Sequence, residues 1–246
     1  MGSLDPDTSA RVSAAIAELA KTDLVDPGME PGMDHICRAC AHMMAATGAN
    51  LSLISTAGSY EPVYASEPRC GAVAELQVVV GEGPGVLALG EGRLILVPAL
   101  DTVESQRRWP LFAPGSVDLG IRAVFAFPLM VGAIAVGVLE ICRNETGPLG
   151  DRRLGEALLF ADAALMLVLT TDLSGAGTQD GAIGWTGSVD RWPEVHQATG
   201  MMSVQLGTGL ASAFMRLRAH TFASGRSLRE VSRDVVDRKL RFEPEE

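Results

Sequence analysis

The stretch Phe125–Ile141, FAFPLMVGAIAVGVLEI, predicts a β-hairpin. Its aromatic and β-branched residues fall into two runs, Val124–Phe127 and Ala133–Ile141, and this composition favours extended strands. The intervening residues Leu129–Gly132 end on a glycine, which tolerates the positive φ angle that tight hairpin turns require. Two antiparallel strands are therefore expected here.

Four stretches before this hairpin have a similar composition and are also predicted to be strands. The first two are separated by the turn residues Gly58-Ser59-Tyr60. The four predicted strands are Leu51–Ser55, Val63–Ser66, Gln77–Val80 and Leu94–Val97.

Apolar residues at steps of three and four predict helices on both sides of these strands. Short helices are expected at about Ser9–Lys21 and Met33–Thr47. Residues 154–172 are apolar nearly all round, and a helix without a polar face must be covered on two sides. We expect one side to pack on the sheet and the other to meet the same helix of a second subunit, forming a homodimer. The predicted dimer contacts are Leu158, Leu165 and Val168.

Residues 174–189, SGAGTQDGAIGWTGSV, are rich in glycine, serine and threonine and lack periodicity, which is typical of a linker. Three helical segments follow, and Ser227 and Glu230 have the spacing of a capping box at the start of the third. Their apolar stripes predict a compact three-helix bundle. These segments are expected at about 191–206, 208–223 and 227–240. The predicted domains are an N-terminal helical extension (1–30), a sheet-containing domain (31–173), the linker (174–189) and a helical domain (190–246).

The charge of the chain is unevenly distributed. The 246 residues carry a net charge of −10, whereas residues 190–242 contain nine basic and five acidic residues, a net charge of +4. A basic module on an acidic body is compatible with a nucleic-acid partner. Arg226, Arg229 and Arg233 cluster near the start of the third helix and avoid its apolar stripe. They are either a nucleic-acid contact or a solvated face.

The N-terminal sequence MGSLDPDTS has no basic or strongly apolar segment, so secretion is not expected. The longest apolar run, Ala163–Leu169, is too short to span a bilayer. We therefore expect a cytoplasmic protein with reduced cysteines and no membrane partner.

The stretch Asp34–His42, DHICRACAH, has the residue types of a metal or redox site. Cys37 and Cys40 fall on the apolar stripe of a predicted helix, and free cysteine is among the most buried residue types. A zinc site needs four ligands, and no second CxxC accompanies this pair. Packing in the core is therefore the preferred interpretation, with redox sensing or metal binding as alternatives. Cys70, in a predicted loop, is the better candidate for a reactive thiol.

The glycine-rich stretch Gly81–Gly85, GEGPG, lacks the Lys-Ser/Thr pair of a phosphate-binding loop. It is predicted to be a turn that leads into a short helix. No Ser/His/Asp or paired-carboxylate arrangement stands out, so we expect no catalytic residue, no metal and no enzymatic activity.

Residues 31–172 resemble a GAF domain of the actinobacterial kind. The resemblance rests on the order of a helix, two strands, LQVVVGEGPG, GRLILVP, RRWPLFAPG, the FAFPLMVGAIAVGVLEI hairpin and a long helix. It implies an α+β fold with an antiparallel sheet flanked by helices, which serves as a small-molecule sensor or as a dimerisation platform. No cofactor is predicted, and any small-molecule ligand is unidentified.

Residues 195–242 resemble an ANTAR domain. The matching positions are Gln197-Ala198-Thr199-Gly200, Ala213-Phe214, Leu217-Arg218-Ala219 and Leu228-Arg229-Glu230-Val231. The resemblance implies a three-helix module that binds RNA hairpins and prevents transcription terminators from forming. We expect Arg229 and Arg233 at the centre of the RNA contact and Arg226 at its edge. A second candidate surface surrounds Gln197, Met201 and Arg218.

Two other functions remain open from the sequence. Three short helices with a tight turn also suit a DNA-binding helix-turn-helix regulator. Alternatively, the protein is a ligand or redox sensor whose C-terminal bundle binds only protein.

Overall fold

A computed structural model of the protein describes residues 6–22, 32–54, 60–175 and 192–243. The chain divides into two compact units. The first comprises residues 1–77 and 82–187 and is called the sheet unit below. The second comprises residues 188–246 with the short stretch 78–81 and is called the helical unit.

The sheet unit is built around a five-stranded antiparallel sheet with the strand order β2-β1-β5-β4-β3. The central hairpin is the one that the sequence predicts, and Gly132 in its turn has a φ of 61°. A bulge between Leu51 and Ser52 shifts the register of β1 against the edge strand β2, where Pro62 lies opposite Ser52. The strands are β1 (Gly48–Ile54), β2 (Tyr60–Ala65), β3 (Ile95–Val97), β4 (Ala123–Val131) and β5 (Ile134–Arg143).

Seven helices of the described chain belong wholly or mainly to this unit. They are α1 (Pro6–Thr22), α2 (Met33–Met43), α3 (Pro68–Val80), α4 (Pro84–Glu91), α5 (Val103–Arg108), α6 (Phe112–Asp118) and α7 (Asp151–Gly175).

Helices cover the two faces of the sheet differently. On one face α1, α2 and α7 bury a continuous apolar core with alternate residues of the central strands, among them Leu51, Phe125 and Leu139. Residues on the other face, such as Glu140, alternate with these because successive side chains of a strand point to opposite sides. Helix α4 packs against β4 and β5. Both faces of β5 are consequently buried from Gly137 to Cys142.

One predicted strand is wrong. Gln77–Val80 is the last turn of helix α3 and is not extended. The valine run has high strand propensity, but Cys70, Val73, Ala74 and Gln77 are all fully buried. Their spacing of three, one and three is that of one helical face, and burial of this face outweighs the local preference of the valines.

The structure also describes the N-terminal helix and the first residues of the predicted linker. Val12 and Ile16 of α1 are part of the core of the sheet unit, so this helix is built into the unit rather than extending from it. Helix α7 continues to Gly175, two residues into the predicted linker. The remainder of the linker prediction lies outside the described residues.

The helical unit contains α8 (Pro193–Leu206), α9 (Leu210–Ser224) and α10 (Leu228–Val236), as the sequence predicts. The predicted capping box is confirmed, because the Ser227 hydroxyl accepts a hydrogen bond from Glu230 N while the Glu230 carboxylate accepts one from Ser227 N. Helix α10 ends at Val236, four residues earlier than predicted. Leu210 is the first residue of α9 and is 62% exposed, so it lies outside the core of the bundle. The buried side chains of the bundle include Val195, Ala198, Met202, Ala213, Leu217, Leu228, Val231 and Val235.

No single helix within the described ranges has the length and hydropathy needed to cross a membrane. By length and composition alone, α3 and α4 taken together would meet that requirement, although they are bent by 64°.

Candidate functional site

A buried carboxylate lies at the centre of a polar cluster in the sheet unit. Glu140 of β5 is fully buried, and both of its carboxylate oxygens accept hydrogen bonds of 2.9 Å from Gln77 Nε2. The hydroxyl of Tyr60 donates a third hydrogen bond to Glu140 Oε2 at 3.1 Å. The Gln77 Oε1 atom in turn accepts from the backbone N–H of Gly85 at 2.7 Å, which ties the start of α4 to the same cluster.

Burial dominates the protonation behaviour of this cluster. Removal from water raises the pKa of the Glu140 carboxyl above its ordinary value of 4.5, although the hydrogen bonds from Gln77 and Tyr60 act in the opposite direction. Burial, and next the neighbouring Glu140 carboxylate, raises the pKa of the Tyr60 hydroxyl well above its ordinary value. The charged form of the Glu140 carboxyl group is therefore disfavoured. A change in its burial or hydrogen bonds would change its protonation.

The cluster leaves little space, and some buried polar atoms beside it have no hydrogen-bond partner among the described residues. A Cβ atom at Gly85 would lie 2.8 Å from Glu140 Oε1, so only a glycine allows α4 to approach the carboxylate. Asn50 of β1 is fully buried, and its Nδ2 atom donates a long hydrogen bond of 3.5 Å to the carbonyl oxygen of Cys70. The Asn50 Oδ1 atom has no hydrogen-bond partner among the described residues. Asn50 thus has unused hydrogen-bonding capacity in this region.

Local sequence patterns do not reveal this cluster, because the composition of Gln77–Val80 predicts a strand rather than a helix. A signal was present in the hairpin, where Glu140 is the one charged residue of the stretch Phe125–Ile141. A carboxylate at a buried position of a central strand needs hydrogen-bond donors.

The cysteine pair of α2 is part of the core, as predicted. Cys37 and Cys40 are fully buried in the apolar cluster between α2, α7 and the sheet. His35 is also buried, and its Nδ1 atom accepts a hydrogen bond of 2.9 Å from Gly32 N at the start of the helix. His42 is exposed. No group of three or more potential metal-binding side chains occurs in the part of the chain that the structure describes.

The prediction for Cys70 is wrong. This residue lies in helix α3, not in a loop, and it is fully buried. It neighbours Cys142 of β5, and the hydrogen bond between the two thiols, together with burial, raises the pKa of the Cys142 thiol well above its ordinary value. Buried thiols of this kind are poor nucleophiles because the reactive thiolate is disfavoured.

The predicted dimer contacts on α7 have different environments. Leu158 and Leu165 are half-buried, and the neighbouring Met166 is 60% exposed. Val168 is 2% exposed and belongs to the core of its own unit, so its side chain is not accessible to a second subunit.

The helical unit brings four of the six predicted RNA-binding residues near one another. Glu194 in the first turn of α8 forms ion pairs with two arginines of α10: its Oε1 atom lies 3.0 Å from Arg229 Nε and 3.8 Å from Arg233 Nη2. Gln197 and Met201 lie three and seven residues further along α8, and this spacing places them on the same helix face as Glu194. Gln197 is exposed and Met201 is half-buried.

The other two predicted residues have different partners. Arg226, between α9 and α10, forms an ion pair of 2.7 Å with Asp234. Arg218 lies on α9, where its Cζ atom is 5.9 Å from the centre of the Phe214 ring. Arg218 is half-buried, and this burial lowers the pKa of its guanidinium. Within the part of the chain that the structure describes, no contact of Arg218 places it with Arg229 and Arg233.

Two clefts flank the edge strand β3 of the sheet unit. One has a volume of about 290 Å³ and is lined by Leu96, Arg108 and Trp109 among others. The other has a volume of about 390 Å³, is mainly apolar and extends from Leu96 to Leu154 at the start of α7. Neither cleft is lined by Glu140 or Gln77.

No protein-family model matches the chain, and no curated protein matches it. Solved structures that are similar include a domain of a Sinorhizobium meliloti protein classed as a two-component sensor histidine kinase, with 22% identity and a TM-score of 0.48. The similar region covers 63% of this chain and 100% of that one. The GAF domain of a phosphoenolpyruvate-protein phosphotransferase from Acinetobacter is 12% identical with a TM-score of 0.47, covering 71% of this chain and 99% of that chain. The corresponding domain from Coxiella burnetii is 11% identical with a TM-score of 0.47, covering 68% and 98%. The fold of the sheet unit follows from its own topology, and it is an α+β fold with a five-stranded antiparallel sheet and flanking helices.

Proposed function

We propose that this protein is a transcription antitermination regulator that binds RNA hairpins through its helical unit, under the control of the sheet unit. The observation that carries the proposal is the exposed arginine face of α10, formed by Arg229 and Arg233, in a module whose sequence resembles ANTAR domains. Proteins that read RNA sequence bind mainly at loops, whose unpaired bases and phosphates are accessible to such side chains.

The arginine face is separate from the residues that hold the bundle together. The side chains of Arg229 and Arg233 are 48% and 59% exposed. Leu228, Val231 and Val235, which alternate with them along α10, are completely buried. The residues of α10 that pack in the bundle and the arginines that are exposed to solvent therefore lie on different faces of the helix.

The ion pairs of this face are compatible with RNA binding. Exposed ion pairs contribute only about 0–1 kcal/mol and are weakened by salt. A phosphate group offers an arginine a charge-assisted and often bidentate hydrogen bond. We expect RNA phosphates to compete with Glu194 for Arg229 and Arg233.

The proposal assigns signal input to the sheet unit. The buried carboxyl of Glu140 and the unused Oδ1 atom of Asn50 support a sensory role. A change at Glu140 would reach α3 and α4 through Gln77, and a change at Asn50 would reach α3 through the carbonyl oxygen of Cys70. Dimerisation through α7 is proposed on the half-buried Leu158 and Leu165 and the exposed Met166.

The experiment that tests RNA binding is a gel-shift assay with a pool of RNA hairpins whose loops are randomised, compared with duplex DNA of equal length. Replacement of both arginines, Arg229→Ala/Arg233→Ala, should weaken hairpin binding at least ten-fold, which corresponds to about 1.4 kcal/mol. The helical circular dichroism spectrum should not change, because exposed positions typically affect stability by only about 0.5 kcal/mol.

A matched control removes two arginines from the sheet unit, Arg93→Ala/Arg107→Ala, and should leave binding unchanged. Preference of the native protein for duplex DNA would support the helix-turn-helix alternative and contradict the proposal. Absence of binding to either nucleic acid would favour a sensor whose bundle binds protein.

A further inference from the structure

The residue that ends helix α10 has an unusual backbone conformation. Arg238 follows the C-cap residue Asp237 and has a φ of 60°, in the left-handed region. Its N–H donates a hydrogen bond of 3.0 Å to the carbonyl oxygen of Val235, and this hydrogen bond closes the last turn of the helix. Side chains with a Cβ atom are disfavoured in this conformation because the Cβ atom approaches the backbone too closely.

Other helices of this chain end with glycine at the equivalent position. Gly92 after α4, Gly207 after α8 and Gly225 after α9 have φ angles of 62°, 63° and 63°. Among the described residues, only Ala45 and Arg238 adopt positive φ without being glycine. A glycine would therefore relieve strain at position 238, and the arginine occupies it at a cost in stability. Backbone strain of this kind is concentrated at functional sites, where the side chain is required for another purpose.

The side chain of Arg238 is available for such a purpose. It is exposed, and within the described ranges it has no ion-pair or hydrogen-bond partner. Arg226, Arg229 and Arg233, by contrast, are each paired with a carboxylate of the same unit. Arg238 therefore offers a positive charge that no carboxylate of the described residues neutralises by direct contact.

Arg238 also follows the arginine face of α10 closely along the chain. The N–H of Asp237 donates a hydrogen bond of 2.8 Å to the carbonyl oxygen of Arg233, so Arg238 follows Arg233 within little more than one helical turn. A nucleic-acid backbone carries a charge at each nucleotide, and one strand that passes Arg229 and Arg233 would bring further phosphates to the end of the helix.

On the basis of the proposed RNA-binding function, we infer that Arg238 is an additional phosphate contact and extends the RNA-binding surface beyond the end of α10. Its strained backbone places a cation where a glycine would give a more stable helix end. The inference concerns binding strength and not the choice of sequence, because phosphate contacts carry no sequence information directly.

The test measures stability and RNA affinity of the full chain in the same variants. Arg238→Gly removes both the strain and the charge. We expect hydrogen exchange of peptides from residues 192–243 to become slower and affinity for a hairpin selected from the randomised-loop pool to fall by about five-fold, the loss of one modest polar contact. The slope of log affinity against log salt should decrease by about 0.7 to 0.9, which corresponds to one phosphate.

Two further variants separate strain from charge. Ala45→Gly relieves the equivalent strain after α2, and it should slow hydrogen exchange of residues 32–54 without changing RNA affinity. Arg238→Lys keeps both the charge and the strained backbone, and it should retain most of the affinity and the native salt slope.

An unchanged salt slope and affinity in Arg238→Gly, with a native protein that does select hairpins from the pool, would overturn the inference alone. A native protein that selects no hairpin would instead refute the proposed function. Equal losses of affinity in Arg238→Gly and Arg238→Lys would also contradict the inference, since a phosphate contact depends on charge.

Discussion

The carboxylate of Glu194 in α8 lies 3.0 Å from the guanidinium of Arg229 in α10, and the same oxygen lies 3.8 Å from Arg233. One acidic residue therefore neutralises the two arginines that we propose to bind RNA. Its side chain is only 20% exposed, whereas both arginines are more accessible.

The first prediction concerns this competition. Glu194→Gln should increase hairpin affinity by about two- to five-fold, since an exposed ion pair that must be disrupted is worth about 0–1 kcal/mol. The increase should be largest at low salt, where the attraction between RNA and the released arginines is least screened. Filter binding across a salt series measures both effects. Equal affinity of the variant and the native protein at all salt concentrations would show that the arginines do not engage the RNA.

The second prediction uses the raised pKa of Glu140. A carboxyl group whose pKa is higher in the folded state contributes stability that is present below its unfolded pKa and is lost as the pH rises through the folded pKa. Relative to Glu140→Gln, the native protein should therefore lose unfolding free energy as the pH increases above about 4.5. Urea unfolding at several pH values measures the difference.

The control for that experiment is Glu104→Gln, which alters an exposed carboxylate at the start of α5. It should give no comparable dependence on pH. A constant difference in unfolding free energy between the native protein and Glu140→Gln at all pH values would show that Glu140 ionises normally.

The third prediction concerns the cysteine pair of α2. Replacement of Cys37 and Cys40 by alanine should lower the unfolding free energy by roughly 1 kcal/mol per site, because each thiol fills space in the core. Serine at the same sites should cost more, since its hydroxyl would be buried among apolar side chains. Stoichiometric zinc in the native protein that is lost from the alanine variant would contradict the packing interpretation.

The fourth prediction concerns the proposed dimer. A buried charge without a partner costs several kcal/mol, so Leu165→Glu at a central position of α7 should convert a dimer into monomers in sedimentation experiments. Gln106→Glu, on an exposed position of α5, is the matched control and should not alter the sedimentation coefficient. A Leu165→Glu variant that folds and remains dimeric would exclude this surface as the interface.

The sequence predicts the elements whose local signals agree with their tertiary surroundings. The β4–β5 hairpin has strand-forming residues, a suitable turn and a buried position, and the capping box at Ser227 is a purely local device. The run Gln77–Val80 fails because its composition favours a strand, whereas the packing of Cys70, Val73 and Ala74 requires a helix.

The polar cluster could not be found from local patterns. Tyr60, Gln77 and Glu140 are separated by up to 80 residues. The pairing of β2 with β1 and of β1 with β5, together with the packing of helices on that sheet face, brings them together. Arg226, Arg229 and Arg233 were visible in the sequence as a cluster because they lie within eight residues. Their ion pairs with Glu194 and Asp234 were not predicted, since they depend on how the helices of the bundle pack.

The two outer strands of the sheet have a consequence for self-association. Strand β3 contains only three residues, and β2 combines Pro62, which lacks a backbone donor, with a register shift against its neighbour. Short strands, edge prolines and bulges all hinder the addition of a foreign strand. Addition of strands from other copies of the protein is consequently disfavoured at both edges of the sheet. The edge strands therefore protect the protein against amyloid-like aggregation at high concentration.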